Sequence, residues 1–242
     1  MAERNSTDSS RSSSDPARVL SRRQALTSAG ALAVAGVATS PAVAGAGDDP
    51  GGGQVGIARS PANSVEFRAH FTQTGSTGEN FAAFGYLTRL AGAADSELYA
   101  GASLSEATAL FTTFAEGTLS NRVHDASGVH TLDIDGTLTV YQRSAPGATF
   151  ADPNSFKVGA PVAQFSVTLQ DVLTVIMPGK GLPSLNGAMR QTSSEKLFTA
   201  PASRRFGRTG SRARLWATGI GSLVDPVTLN SIHDMGGNWV VE

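Results

Sequence analysis

Phe165, Val167, Leu169, Leu173, Val175 and Met177 recur at every second position, and one carboxylate, Asp171, falls in phase with them. Alternation of this kind is the mark of a strand with one apolar face. A carboxyl group on such a face is desolvated, which favours its neutral form and lets it exchange a proton near neutral pH. The alternative is a β-bulge near Gln170 and Asp171 that shifts the phase and turns the carboxylate to solvent.

Two further clusters carry chemical potential. His124, Asp125, His130, Asp133 and Asp135 flank the turn segment DASG. A hairpin there would bring His124 and His130 together, as a two-imidazole metal site requires. However, Asp133 and Asp135 alternate with Leu132, Ile134, Leu138 and Val140, the pattern of an ordinary solvent face. No metal ligand and no cofactor is therefore assigned. Five arginines lie between Arg204 and Arg214, and Arg212, Arg214 and Trp216 alternate onto one face. A guanidinium pair beside an indole suits a ligand carboxylate or phosphate. The bland reading is a basic loop with Trp216 covered by arginine stems. His70 and His233 call for no role. G-x-S-x-G, a phosphate-binding loop and a dinucleotide fingerprint do not occur, and the GKG of VIMPGKGLP lacks the Walker spacing.

Positioning these groups falls to strands. Strand-like runs cover 65–72, 81–90, 109–119, 129–142, 161–177, 188–198, 212–220 and 227–232, separated by Gly, Pro, Asp and Ser clusters. Only 95–107 reads as helical. The expected fold is all-β, a roughly eight-stranded antiparallel β-barrel, with a two-sheet β-sandwich as the alternative. Runs of 12 residues or more favour curved, bulged barrel strands, and closure removes exposed edges from a chain with no cysteine.

Before the strands lies Ser21-Arg22-Arg23-Gln24-Ala25-Leu26, followed by a mildly apolar run rich in alanine and glycine and by Ala42-Val43-Ala44 and Ala44-Gly45-Ala46. The segment resembles a twin-arginine (Tat) signal peptide, matching at Ser21, Arg22, Arg23 and Leu26 and departing at Ala25 and Thr27. The resemblance implies a cleaved leader over 1–46, engagement of the Tat translocation machinery, and export of a folded domain to a periplasmic or extracellular location without a permanent membrane anchor. A flexible Gly/Pro-rich lead-in over 47–63 and one barrel domain over 64–242 would follow. Five of the 19 basic and three of the 20 acidic side chains precede Gly47, leaving a net charge of −3 beyond it. That balance offers no general attraction to nucleic acid.

From about Val65 to Val241 the strand spacing also resembles the allene oxide cyclase and dirigent group of barrels. The Gly-Gly-x-Gly-x-Phe segment common among dirigent proteins is absent. The resemblance implies a lumen that binds a small hydrophobic or amphipathic molecule and steers its cyclisation or coupling. The resemblance carries over no site residue; from strand phase alone, Asp171 would be the catalytic group, with Tyr141, Phe165 and Leu169 as ligand contacts and Arg212, Arg214 and Trp216 as further binding residues. A non-enzymatic secreted interaction domain is the alternative.

Overall fold

The structure, a computed structural model, describes residues 63–198 and 204–242. The proposed leader, including Arg22 and Arg23, and the lead-in up to residue 62 lie outside the described residues. Eight strands form the architecture: β1 (Ser64–Thr74), β2 (Asn80–Leu90), β3 (Phe111–His124), β4 (Val129–Gln142), β5 (Ala160–Met177), β6 (Lys180–Ser194), β7 (Arg212–Asp225) and β8 (Asn230–Val241). Each pairs antiparallel with its neighbour in sequence, and β8 pairs back onto β1 to close the barrel. Closure leaves no edge strand, and it decides for the barrel over the sandwich.

The wall is apolar inside and polar outside. On β5, Phe165, Val167 and Asp171 are buried while Gln164, Ser166, Thr168 and Gln170 are not. On β7, Ala213 and Ala217 are buried between exposed Arg212, Arg214, Trp216 and Thr218. This polarity is the reverse of a lipid-facing barrel, whose outer band is apolar. Bulges bend the long strands, among them Leu119/Asn121, Gln164/Phe165 and Val175/Met177. Gly117 lies opposite Gly136, where a Cβ at position 136 would come within 2.2 Å of the Glu116 carbonyl oxygen. Only glycine permits that approach.

Three elements depart from the sequence reading. The helical expectation over 95–107 contracts to a single turn, α1 (Asp95–Leu98). Strand β6 begins at Lys180 rather than 188, because Gly181 and Pro183 read as turn residues yet lie in the wall. The β6–β7 ladder skips Leu182 and Pro183, as a residue without an N–H requires. The last predicted strand, 227–232, straddles a turn, and its true continuation is β8.

The barrel's two ends differ. At one, the connections 91–110 and 143–159 and the segments 195–198 and 204–211 pack against the barrel. They bury Leu98, Tyr99, Ala148, Phe156, Leu197 and Phe206. A layer of aromatic rings, Phe84, Phe114, Phe150 and Phe156, packs against the outside of the wall here. His70 stacks on Phe150 at 3.9 Å. At the other end the strands are joined by short hairpins.

Candidate ligand-binding lumen

Alternation along each strand sends a ring of side chains inward, and they leave space at two depths. A deep cavity of about 80 Å³ is lined by Phe67, Phe71, Leu169, Leu185, Met189 and Trp239 among others. Toward the hairpins, a mouth cavity of about 370 Å³ is walled by Leu132, Leu173 and Val175 together with Arg122, His130 and His233. Glycine in the wall, Gly117, Gly136, Gly181 and Gly221, contributes to both spaces by presenting no side chain.

Asp171 lies between these two depths. The pairing from Phe165 to Val175 runs without a bulge at Gln170 or Asp171, so the in-phase reading of the sequence is the one realised. Its ladder neighbours are Leu132 on β4 and Leu185 on β6. Leu132 lines the mouth and Leu185 lines the deep cavity. The residue is 0 % exposed. Its Oδ1 accepts a hydrogen bond from the Ser184 N–H at 3.1 Å, while Oδ2 is buried with no partner among the described residues. Burial raises the carboxyl pKa to about 6, opposed by the Ser184 bond. Near neutral pH this group thus exists in both protonation states, which is what acid–base work needs.

A second buried polar group faces the same apolar cluster. His233, 1 % exposed, stands edge-on to Phe71 with ring centroids 5.7 Å apart. Phe71, Leu132 and Leu185 belong to one packed cluster, so Asp171 and His233 border a common apolar layer. Desolvation holds the His233 pKa down to about 4, and the imidazole is neutral at pH 7. The indole N–H of Trp239, further down the lumen, also has no acceptor among the described residues.

The other residues singled out by the sequence fall in several places. Phe165 is inside, 6.3 Å from Trp239 between ring centroids, and Leu169 lines the deep cavity. Tyr141 requires correction as a lumen contact: it alternates with Val140 and Gln142, both fully buried, and lies beside Thr112 on the opposite face of the sheet. Arg212, Arg214 and Trp216 do share a face, but it is the outer one. Arg212 lies across from Arg190, and Arg214 pairs with Glu242 at 3.3 Å. Because Ala213, Leu215 and Ala217 occupy the inward phase of β7, these three cannot join Asp171 around one ligand. Arg204 is tied to Glu97 at 2.8 Å, and Arg205 donates to the Ser194 carbonyl. Both fasten the β6–β7 connection.

The β3–β4 hairpin brings His124 and His130 together, with their Nδ1 atoms 3.0 Å apart. Desolvation, then His130 and Arg122, lower the His124 pKa. Asp133 and Asp135 stay on the outer face, bonded to Asn121, Gln170 and Thr168. Among the described residues no three His, Cys, Asp or Glu side chains are grouped to hold a metal ion.

His233 is the residue that sequence reasoning missed. The signal was present: Ser231, His233, Met235, Gly237, Trp239 and Val241 alternate as Phe165 to Met177 do. The turn residues at 225–230 and the polar neighbour Asp234 disguised it. No family model, curated protein or solved structure matches the chain.

Proposed function

We propose that this barrel takes a small hydrophobic or amphipathic molecule into its lumen through the hairpin end, with Asp171 as its polar contact. One observation carries the reading. A carboxyl group is wholly buried between two cavities, held by a single backbone N–H, with one oxygen left unpartnered. A buried polar atom without a partner is costly and rare, and a ligand in the lumen supplies the missing bond. The lumen's aromatic and aliphatic lining suits an apolar body.

Cyclisation or coupling of the allene oxide cyclase and dirigent type asks two things of such a site. One is a shape that holds a single reactive conformer. The other is a group that can carry a proton, and Asp171 is that group here. The test is native mass spectrometry and hydrophobic-dye displacement on the purified protein. A bound molecule or displaceable dye is expected, and displacement lost in a folded Leu169→Trp variant would place it in the deep cavity. Absence of binding across a broad apolar panel would overturn the reading.

A second reading, a non-enzymatic interaction domain, is favoured by the small deep cavity and by exposed aliphatic side chains at the hairpin tips, with Val227 87 % exposed. Under either reading we propose export by the twin-arginine route, which Arg22 and Arg23 support. Replacing both by lysine should leave the protein in the cytoplasm; undiminished export of that variant would remove this part.

A further inference from the structure

Around His233 a chain of hydrogen bonds decides which ring nitrogen carries the proton. Gln73 is anchored by its Nε2, which donates to the Gly78 carbonyl at 2.8 Å, so its Oε1 is an acceptor. The Ser231 hydroxyl lies 3.3 Å from that Oε1 and 2.9 Å from His233 Nε2. Ser231 has one proton to give. If it goes to Gln73, Oγ accepts from Nε2–H, both contacts are satisfied, and Nδ1 is a bare lone pair. If it goes to Nε2 instead, Gln73 Oε1 loses its donor and Nδ1–H has no acceptor. The first arrangement leaves fewer buried groups unpaired, and it makes Nδ1 an acceptor.

This acceptor has no partner among the described residues. It lies over Gly221, where a Cβ would come within 3.0 Å of Nδ1, and both residues wall the mouth cavity. Arg122 lines the same cavity. Its two terminal nitrogens are engaged by the Thr77 and Gly78 carbonyls, at 2.7 and 2.8 Å, and its Nε is buried with nothing to donate to. Among the described residues the mouth therefore holds one orphaned acceptor and one orphaned donor, and its ionisable lining is Arg122, Lys180, His124, His130 and His233, with no Asp or Glu.

We infer that the mouth cavity is a binding subsite for the hydroxyl of a neutral apolar molecule, a phenol or an alcohol, whose O–H donates to His233 Nδ1. A hydroxyl both donates and accepts, so its oxygen also suits Arg122 Nε. A carboxylate offers acceptors alone and leaves Nδ1 unmatched. Neither the aliphatic wall nor a water-exposed surface explains a histidine held in one tautomer by three residues. The inference rests on the lumen reading and adds to it the class of molecule and the residue that selects it.

The test compares 1-naphthol, 1-methoxynaphthalene, naphthalene and 1-naphthoate by calorimetric titration of the purified protein. These share one apolar body and differ in the polar group. 1-Naphthol should bind roughly tenfold tighter than the ether and the hydrocarbon, the worth of one buried hydrogen bond. That preference should vanish in His233→Leu while naphthalene binding persists. Ser231→Ala, which frees the tautomer without touching the ring, should narrow it, and this serves if His233→Leu does not fold. Equal binding of the three neutral probes would overturn the hydroxyl subsite and leave the lumen reading intact. Tightest binding of 1-naphthoate would overturn it in favour of an anion site. A naphthol preference undiminished in either variant would remove His233 from the role. If no probe binds, the lumen reading itself fails.

Discussion

The two ends of this barrel are built from the same eight strands and differ in what their buried polar groups do. At the connection end, several buried polar side chains are satisfied, although Ser64 Oγ and Trp239 Nε1 have no partner among the described residues. Gln191 donates to the Ser193 and Phe206 carbonyls and accepts from the Arg208 N–H. Gln142 accepts from the Phe198 N–H, and the Thr112 hydroxyl donates to the Phe156 carbonyl. In the hairpin half, Asp171 Oδ2, His233 Nδ1 and Arg122 Nε are buried and have no partner among the described residues. Polar groups that fasten loops find their partners within the chain, whereas these find none. The contrast is between loop-fastening polar groups and ionisable groups lining or bordering the lumen, because an unmet buried bond is tolerated only where something offsets it.

Truncation should expose this division most strongly. Trp239, 1 % exposed and packed on Phe67 and Phe165, lies in the apolar half of the lumen. Trp239→Ala should destabilise by about 3–5 kcal/mol in denaturant unfolding. Val227→Ala at a hairpin tip should change stability by less than about 0.5 kcal/mol. A costly Val227→Ala, or a tolerated Trp239→Ala, would break the assignment of stability to one end.

Titration sharpens the comparison at the next scale. Asp171 has its pKa raised in the folded protein, so between pH 4 and 6 the folded state binds more protons than the unfolded and stability falls as pH rises. His233 has its pKa lowered, so from about pH 4 to 6.5 the unfolded state binds more protons and stability rises with pH. The two slopes oppose one another and largely cancel in the native protein. Asp171→Asn removes the falling slope. It should raise stability by about 2–3 kcal/mol at pH 7, change it little at pH 3, and unmask a stability that climbs from pH 4 to 6.5. Thermal melts across that range test this, and a flat profile for the variant would mean that His233 is not buried in its neutral form.

At the smallest scale lies the outer wall. The Arg214–Glu242 pair is exposed, with side chains 72 % and 51 % accessible. Replacing Arg214 by alanine should alter stability by no more than about 0.5 kcal/mol and leave probe binding in the lumen unchanged. A loss of binding would show that the outer face of β7 communicates with the interior.

Much of the barrel was legible because alternation is a local property. The inward phase of β5, including Asp171, follows from Phe165 to Val175 once no bulge intervenes, and the approach of His124 to His130 follows from a four-residue turn. Beyond that reach, local pattern misleads. Gly181 and Pro183 read as turn, yet they lie in the wall because a closed barrel supplies partners on both sides. Tyr141 sits next to inward residues and points the other way, and Arg212, Arg214 and Trp216 share a face whose side of the sheet their own sequence does not state. His233 looked like a polar residue beside a turn.

What the sequence alone determined is therefore the all-β class and the phase of each long strand, because side-chain direction alternates with a period of two along any strand. Which phase faces inward, and which inward groups meet, was decided only by closure of β8 onto β1. The enclosed volume belongs to all eight strands at once, and the desolvation that perturbs Asp171 and His233 is a property of that shared interior.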